Sequence, residues 1–166
     1  MQKLIILRGN SGSGKSSAAK RLQENLGYQT MLIPQDVVRR EILRAQDLPD
    51  NPAIQLIGDM AAYGGKIGYD VIMEGIMTEE RYGSMLRRLI ADFPGSAHVY
   101  YFDISFKETL RRHNKKANKH EFGEHEMRQW WVEKDILHYP NEQFITDKMS
   151  ELDIDTKILK DIAVSQ

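Results

Sequence analysis

The chain reads as an α/β protein, a parallel sheet covered by helices on both faces, and three observations lead there. Short apolar runs at 4–7, 30–33, 71–73, 98–102 and 144–145 each stand next to turn or capping residues, as buried strands do. Longer amphipathic stretches at 15–26, 36–46, 53–68, 79–92, 105–117, 124–137 and 151–163 alternate with them, their apolar residues three or four apart. The 166 residues, 41% of them apolar, suit one domain around one core. No repeat or low-complexity linker divides the chain, so a single domain over 1–166 is expected.

Composition narrows the function classes. There is no cysteine, which removes disulfide frameworks, thiol catalysis and thiolate metal sites. With 23 Lys+Arg against 24 Asp+Glu, the net charge of -1 argues against a dedicated duplex-DNA binder. The apolar run at 4–7 is too short for a signal peptide or a membrane span, and no later run approaches the length of one. The expected location is therefore the cytoplasm, with no membrane partner.

The first strand leads into Gly9-Asn10-Ser11-Gly12-Ser13-Gly14-Lys15-Ser16, which fits G-x-x-x-x-G-K-[ST] and opens the helical pattern at 15–26. At ordinary residue frequencies its four fixed positions arise by chance in roughly one such chain in 200. Such a loop turns backbone N–H groups inward on phosphates, and the helix behind it adds its positive end. Residues 9–17, Ser17 included, are thus the expected nucleotide cradle of a three-layer P-loop NTPase fold. In it Lys15 would reach the β- and γ-phosphates and the Ser16 hydroxyl would hold Mg²⁺.

In parallel sheets ligands sit outside the carboxyl ends of the strands. At the end of the second strand stands Asp36, with Arg39 one helical turn on. A carboxylate there can orient an acceptor hydroxyl and take its proton, and Arg39 can clamp an anionic part of the acceptor. Asp36 also suits the N-cap of the helix at 36–46, with Arg39 and Arg40 on its solvated face. The third strand ends at Glu74-Gly75, where the acid can hold a Mg²⁺-bound water, bond the acceptor, or pair with a nearby Arg. Thr78 before Glu79 and Glu80 reads as a plain N-cap.

After the fourth strand, Ser105-Phe106-Lys107-Glu108 forms a capping box. Arg111, Arg112, Lys115, Lys116 and Lys119 follow as the one basic run, which suits a lid over a phosphate site at about 111–122. His120-Glu121-Phe122-Gly123-Glu124-His125 misses the zincin pattern because its histidines are five apart. Asn118-Lys119-His120-Glu121 only imitates a guanine-reading motif, so ATP is the expected nucleotide. Met127, Trp130 and Trp131 are expected to pack a helix on the core, and His98 to be a satisfied strand residue. His113, His125 and His138 carry no readable signal.

The loop at 9–17, Asp36-x-x-Arg39, the strand ending in Glu74, and Phe102-Asp103-x-Ser105 … Thr109-Leu110-x-Arg112-x-x-x-Lys116 occur in one order over residues 1–135. Together they resemble the P-loop kinase group that contains the 5′-kinase domain of phage polynucleotide kinase, chloramphenicol phosphotransferase and the zeta toxins. The resemblance implies a five-stranded parallel sheet with a basic lid and ATP-dependent phosphotransfer. It also implies Asp36 as the base that activates the acceptor hydroxyl, Arg39 as a substrate contact, and Arg112 as a catalytic lid residue near the nucleotide. Polynucleotide kinase has a second lid arginine where Lys116 stands and an aspartate where Glu74 stands, and no length remains for its phosphatase domain.

The expectation is an enzyme that moves the γ-phosphate of Mg·ATP to a hydroxyl of a small acceptor. A polynucleotide or nucleoside 5′-hydroxyl kinase acting on an oligonucleotide end, or an NTP-dependent switch that displays its lid to a partner, are the alternatives.

Overall fold

The computed structural model describes residues 1–117 and 119–164. Asn118, which belongs to both the imitated guanine motif and the expected lid span, lies outside them. Five strands, β1 (Lys3–Gly9), β2 (Thr30–Pro34), β3 (Asp70–Gly75), β4 (Ser96–Asp103) and β5 (Gln143–Thr146), form one all-parallel sheet in the order β2-β3-β1-β4-β5. Helices α1 (Lys15–Leu26), α2 (Gln35–Val37), α3 (Ala53–Lys66), α4 (Glu79–Asp92), α5 (Phe106–His113), α6 (Glu124–Trp130) and α7 (Glu151–Val164) connect and follow them.

β1 sits in the middle, so its side chains are buried on both faces and the period-2 alternation sorts them into two cores. Leu4 and Ile6 pack with Ile57, Ala61, Leu86 and Val99 under α3 and α4. Ile5 and Leu7 pack with Ala18, Leu22, Ile158 and Ile162 under α1 and α7. This is the three-layer architecture expected from the alternation of runs. Among the described residues no helix is long and apolar enough to cross a membrane.

Arg8 continues the Leu4–Ile6 side of β1 and is wholly buried, so its charge has to be met from within. Its Nε donates to Met77 O at 3.0 Å, its Nη1 to Asp135 O at 3.0 Å and Glu142 Oε1 at 2.7 Å, and its Nη2 to Asp135 Oδ2 at 2.6 Å. Next to it the Asn10 side chain clamps the backbone of one residue, donating to Val132 O at 2.8 Å and accepting from Val132 N at 3.0 Å. These bonds draw residues 131–142 back across the sheet. They also explain why the helix expected over 124–137 stops at Trp130: Trp131 turns extended, and a continued helix would carry Asp135 away from Arg8.

Other local expectations need correction. The helix expected over 36–46 is α2 followed by a π-helical turn, Val38–Ile42, after which the chain curls around Arg39, whose Nη1 donates to Ala45 O at 3.2 Å. Asp36 is not an N-cap, since Pro34 holds that position and Asp36 lies in the first turn. Thr78 is the N-cap residue of α4, but its side chain makes no cap bond, and Asp135 Oδ2 accepts from Glu79 N at 2.9 Å instead. The Ser105 box is half made: Ser105 Oγ accepts from Glu108 N, while Ser105 N donates to Asp147 and Glu108 turns to arginines. α5 ends four residues earlier than expected because His113 is buried, its Nε2 2.8 Å from Phe122 O and its ring stacked on Phe122 at 4.5 Å.

Of the residues expected to pack on the core, Met127 is buried, but Trp131 meets Phe106 edge-on at 5.2 Å and the exposed Trp130 meets Phe122 at 5.1 Å, so the two rings pack on α5 and on the segment after it. His98 is half-buried and 3.0 Å from Ser96 Oγ, with burial pushing its pKa down.

Truncating Arg8 leaves two buried carboxylates without their counter-charge, so Arg8→Ala should lower stability by about 3–5 kcal/mol. A urea-unfolding midpoint equal to that of the parent chain would show that the ion cluster contributes nothing.

Candidate nucleotide and acceptor site

The loop between β1 and α1 carries the motif residues to the carboxyl edge of the sheet. Gly9 passes so close to β4 that a Cβ there would lie 2.9 Å from Phe102 Cβ and carbonyl oxygen. At Gly12, φ is +77° and a Cβ would lie 2.7 Å from Thr109 O, so side chains are excluded on both counts. The loop is thereby pressed against β4 and α5. Ser11 is half-buried at its turn, and Ser13 is buried beneath it.

Lys15 is the first residue of α1 and is almost fully buried. Its ammonium donates to Asn10 O at 2.8 Å and to Ser13 Oγ at 3.3 Å, which leaves one of three N–H donors for an anion in the loop. Burial lowers its pKa to about 8; Glu74 and Asp36 pull it back up and Lys116 opposes them. Asn10 belongs to the loop, but its side chain serves the clamp on Val132.

Ser16 Oγ donates to Glu74 Oε1 at 3.0 Å across the β1–β3 edge. Glu74 therefore pairs with a hydroxyl, and the Arg partner weighed from the sequence is replaced by this bond. A hydroxyl and a carboxylate at that distance are the hard oxygen donors Mg²⁺ takes alongside phosphate oxygens and water, so the residues fit the ion.

From α5, Arg112 Nη1 donates to Ser13 O at 2.8 Å and its Nε to Glu108 Oε1 at 2.8 Å. The Arg111 and Arg112 guanidiniums hold the Glu108 carboxyl down at about 2. Lys115 and Lys116 are exposed beyond them. Between this helix and the loop opening α7 lies a cavity of about 630 Å³ bordered by Gly14, Ser17, Arg21, Arg112, Asp147 and Met149. Such a volume accepts a nucleoside-sized ligand. The 147–150 edge was not singled out in the sequence, although its place after β5 is where the carboxyl-end rule points.

On the other side of Glu74, Asp36 is exposed, with Oδ1 3.3 Å from Arg39 Nη2 and Oδ2 3.3 Å from Arg40 Nη1. Arg39 is mostly buried, with its guanidinium bonded to Ala45 O, so it stands deeper than the solvated face considered for it, while Arg40 does lie there. Arg81 from α4 reaches the same loop, donating to Asp47 Oδ1 at 2.9 Å. Nothing in the sequence linked Arg81 or Asp47 to this place, since they meet only through the tertiary fold. His120 and His125 form no metal cluster, and no group of three or more metal-ligating side chains of His, Asp or Glu occurs among the described residues.

Residues 4–132 match the family model described as an AAA domain. The fold is similar to that of the Mycobacterium tuberculosis APS kinase CysC in complex with AMPPNP and APS, at 20% identity and TM-score 0.70 over 98% of this chain and 96% of that one. It is similar to a gluconokinase from Sinorhizobium meliloti 1021 at 19% identity and TM-score 0.70, over 98% of this chain and 92% of that one. A chain of the Pnkp1/Rnl/Hen1 RNA repair complex aligns at 18% identity and TM-score 0.57, over 77% of this chain and 42% of that one. No curated protein matches the chain in sequence. The likeness is one of fold, and it extends to kinases of different kinds rather than to the polynucleotide kinase group alone.

An anion entering the loop favours the charged form of Lys15, so binding AMPPNP should raise its pKa above about 8. At pH 9 the free amine is mostly neutral and binding takes up a proton; at pH 7 it is already charged and uptake shrinks. Calorimetry at both pH values, in buffers of different ionisation heat, checks this; equal proton uptake would contradict the buried, depressed amine.

Proposed function

We propose that the chain, which belongs to the AAA-domain family over residues 4–132, is an ATP-dependent phosphotransferase whose acceptor is a hydroxyl of a small molecule; Lys15 and Ser16 after β1 and Asp36 after β2 stand at the same carboxyl edge of the sheet. The observation that carries the reading is the position of Asp36: it stands just after β2, at the same carboxyl edge of the parallel sheet from which the 9–17 loop leaves, with Oδ1 3.3 Å from Arg39 Nη2. A loop that only binds and releases nucleotide needs no carboxylate on the side facing away from the 630 Å³ cavity.

In this reading residues 9–17 hold the phosphates, and the cavity edged by Arg112 and Met149 takes the nucleoside. Asp36 accepts a hydrogen bond from the acceptor hydroxyl, aims its oxygen at the γ-phosphorus, and takes the proton as the new P–O bond forms and the bond to ADP breaks. Arg39, 3.3 Å from Asp36, fixes that carboxylate and contacts the acceptor. Lys15 and Arg112 lie where negative charge builds on the transferring group, and Lys116 adds a point charge from the lid. Ser16, with Glu74 bonded to it, would hold Mg²⁺, which would supply charge neutralisation on the phosphates.

Phosphotransfer to nucleosides, hydroxylated antibiotics, sugars and sugar acids, and oligonucleotide 5′-ends, followed with γ-labelled ATP, separates the acceptor classes. Product only on oligonucleotide ends would move the assignment to a polynucleotide kinase, and no product on any class would favour a nucleotide-dependent switch. Asp36→Ala should lower kcat by about a hundred- to ten-thousandfold while leaving AMPPNP affinity largely unchanged, and Lys15→Ala should lose transfer altogether. Transfer by Asp36→Ala at the parent rate would remove Asp36 as the base.

A further inference from the structure

Arg39 and Arg81 converge from different elements, the π-helical turn after α2 and the first turn of α4, onto a single carboxylate. Asp47 Oδ1 is 2.9 Å from Arg81 Nη1 but 4.0 Å from Arg39 Nε, beyond hydrogen-bond reach. Among the described residues, Arg39 Nε is the one buried side-chain nitrogen or oxygen without a hydrogen-bond partner. A buried guanidinium donor left unpaired is costly, and Asp47 is placed to meet only half of the pair's need.

Asp47 is also open to solvent, although Arg81 Nη1 bonds both its Oδ1 and, at 3.2 Å, its backbone oxygen. Its side chain is 60% exposed on a segment where Arg44 takes a left-handed φ of 50° and Ile42, Leu43 and Leu48 are exposed to solvent. A free anion with two or three oxygens can bridge both guanidiniums as a fork, which the tethered carboxylate does not. Arg39 faces Asp36 on its other side at 3.3 Å, so such an anion would lie one side chain away from the proposed base. That spacing suits one small molecule carrying both groups.

Resting on the phosphotransferase reading, we propose that the acceptor bears an anionic substituent, a carboxylate, phosphate or sulfate apart from the reacting hydroxyl, and that Arg39 and Arg81 bind it in place of Asp47. Asp47 then acts as an internal competitor. Acceptors without the anion leave it in place and are bound weakly.

Binding is tested first without catalysis. Acetate, phosphate and sulfate are titrated calorimetrically, at fixed ionic strength, into the full chain saturated with AMPPNP and Mg²⁺, so that the phosphate loop is already filled. The parent should bind at least one of the three weakly, Asp47→Asn about tenfold more tightly, and Arg81→Gln and Arg39→Gln not at all. Unchanged affinity in Asp47→Asn, or parent-like binding in Arg81→Gln, would overturn the proposal. Transfer from ATP to glucose, gluconate and glucose 6-phosphate then compares neutral, carboxylate and phosphate acceptors. An anionic member should show a KM at least about tenfold below the neutral one, rising in Arg81→Gln with kcat little changed. Preference for the neutral sugar or for an oligonucleotide end would also overturn it. Anion binding that follows Asp47 and Arg81 in a chain that transfers no phosphate would instead sink the phosphotransferase reading and leave the anion site standing.

Discussion

The buried guanidinium of Arg8 is the constraint around which the site end of the molecule is arranged. A charge at the carboxyl end of the central strand, closed off from water on both faces of the sheet, is tolerable only with full hydrogen bonding, and four bonds to Met77, Asp135 and Glu142 supply it. Each partner brings an element with it. Met77 fixes the turn before α4, Asp135 caps that helix through Glu79 N, and Glu142 accepts from Leu137 N and so folds residues 137–142 into place before β5. Gly9 follows Arg8 directly, so the phosphate loop leaves the sheet from a point that cannot shift without breaking this cluster. Rigid support beneath a polar loop is what a phosphate cradle needs, since its N–H groups act only if they are held in one arrangement.

This constraint also decides what was readable from the sequence. Helices α1, α4 and α7 match the amphipathic stretches at 15–26, 79–92 and 151–163 to within a residue, because each buries one apolar stripe and carries its own start signals. The stretches at 124–137 and 36–46 have the same periodicity but are interrupted, in one case by the Asn10 and Arg8 bonds and in the other by the wrap around Arg39. Periodicity records which residues are apolar and is blind to a hydrogen bond arriving from 122 positions away, as at Val132. Arg8 did leave a trace: in a strand buried on both faces it falls in line with Leu4 and Ile6, and a charge there requires partners.

The candidate site was legible in the same uneven way. Lys15, Ser16, Glu74 and Asp36 were singled out from a local motif and from strand ends, and the parallel sheet brings them to one carboxyl edge, where Ser16 and Glu74 bond directly. Arg81, Asp47 and the 147–150 edge of the cavity come from loops whose sequence carries no motif, and only the parallel topology brings them to the same edge. His113 was silent in sequence because a histidine gives no sign of burial by itself; here it closes the base of the basic segment against Phe122.

A common logic runs through the cations of the site, and it bears on what can bind there. None of Lys15, Arg112 and Arg81 faces solvent as a bare charge: Lys15 is met by Asn10 O and Ser13 Oγ, Arg112 by Ser13 O and Glu108, and Arg81 by Asp47. Lys15 keeps one N–H for a ligand anion, but at Arg112 and Arg81 an anion must exchange with an internal acceptor, and its gain is the difference between the two sets of bonds. A single weak anion gains little from such an exchange. A polyphosphate, engaging the loop, Lys15 and Arg112 together, gains at every contact while the chain has been ordered only once. The near-neutral balance of 23 basic and 24 acidic residues fits this arrangement, because Arg112 and Arg81 each carry a carboxylate counterweight, Glu108 and Asp47.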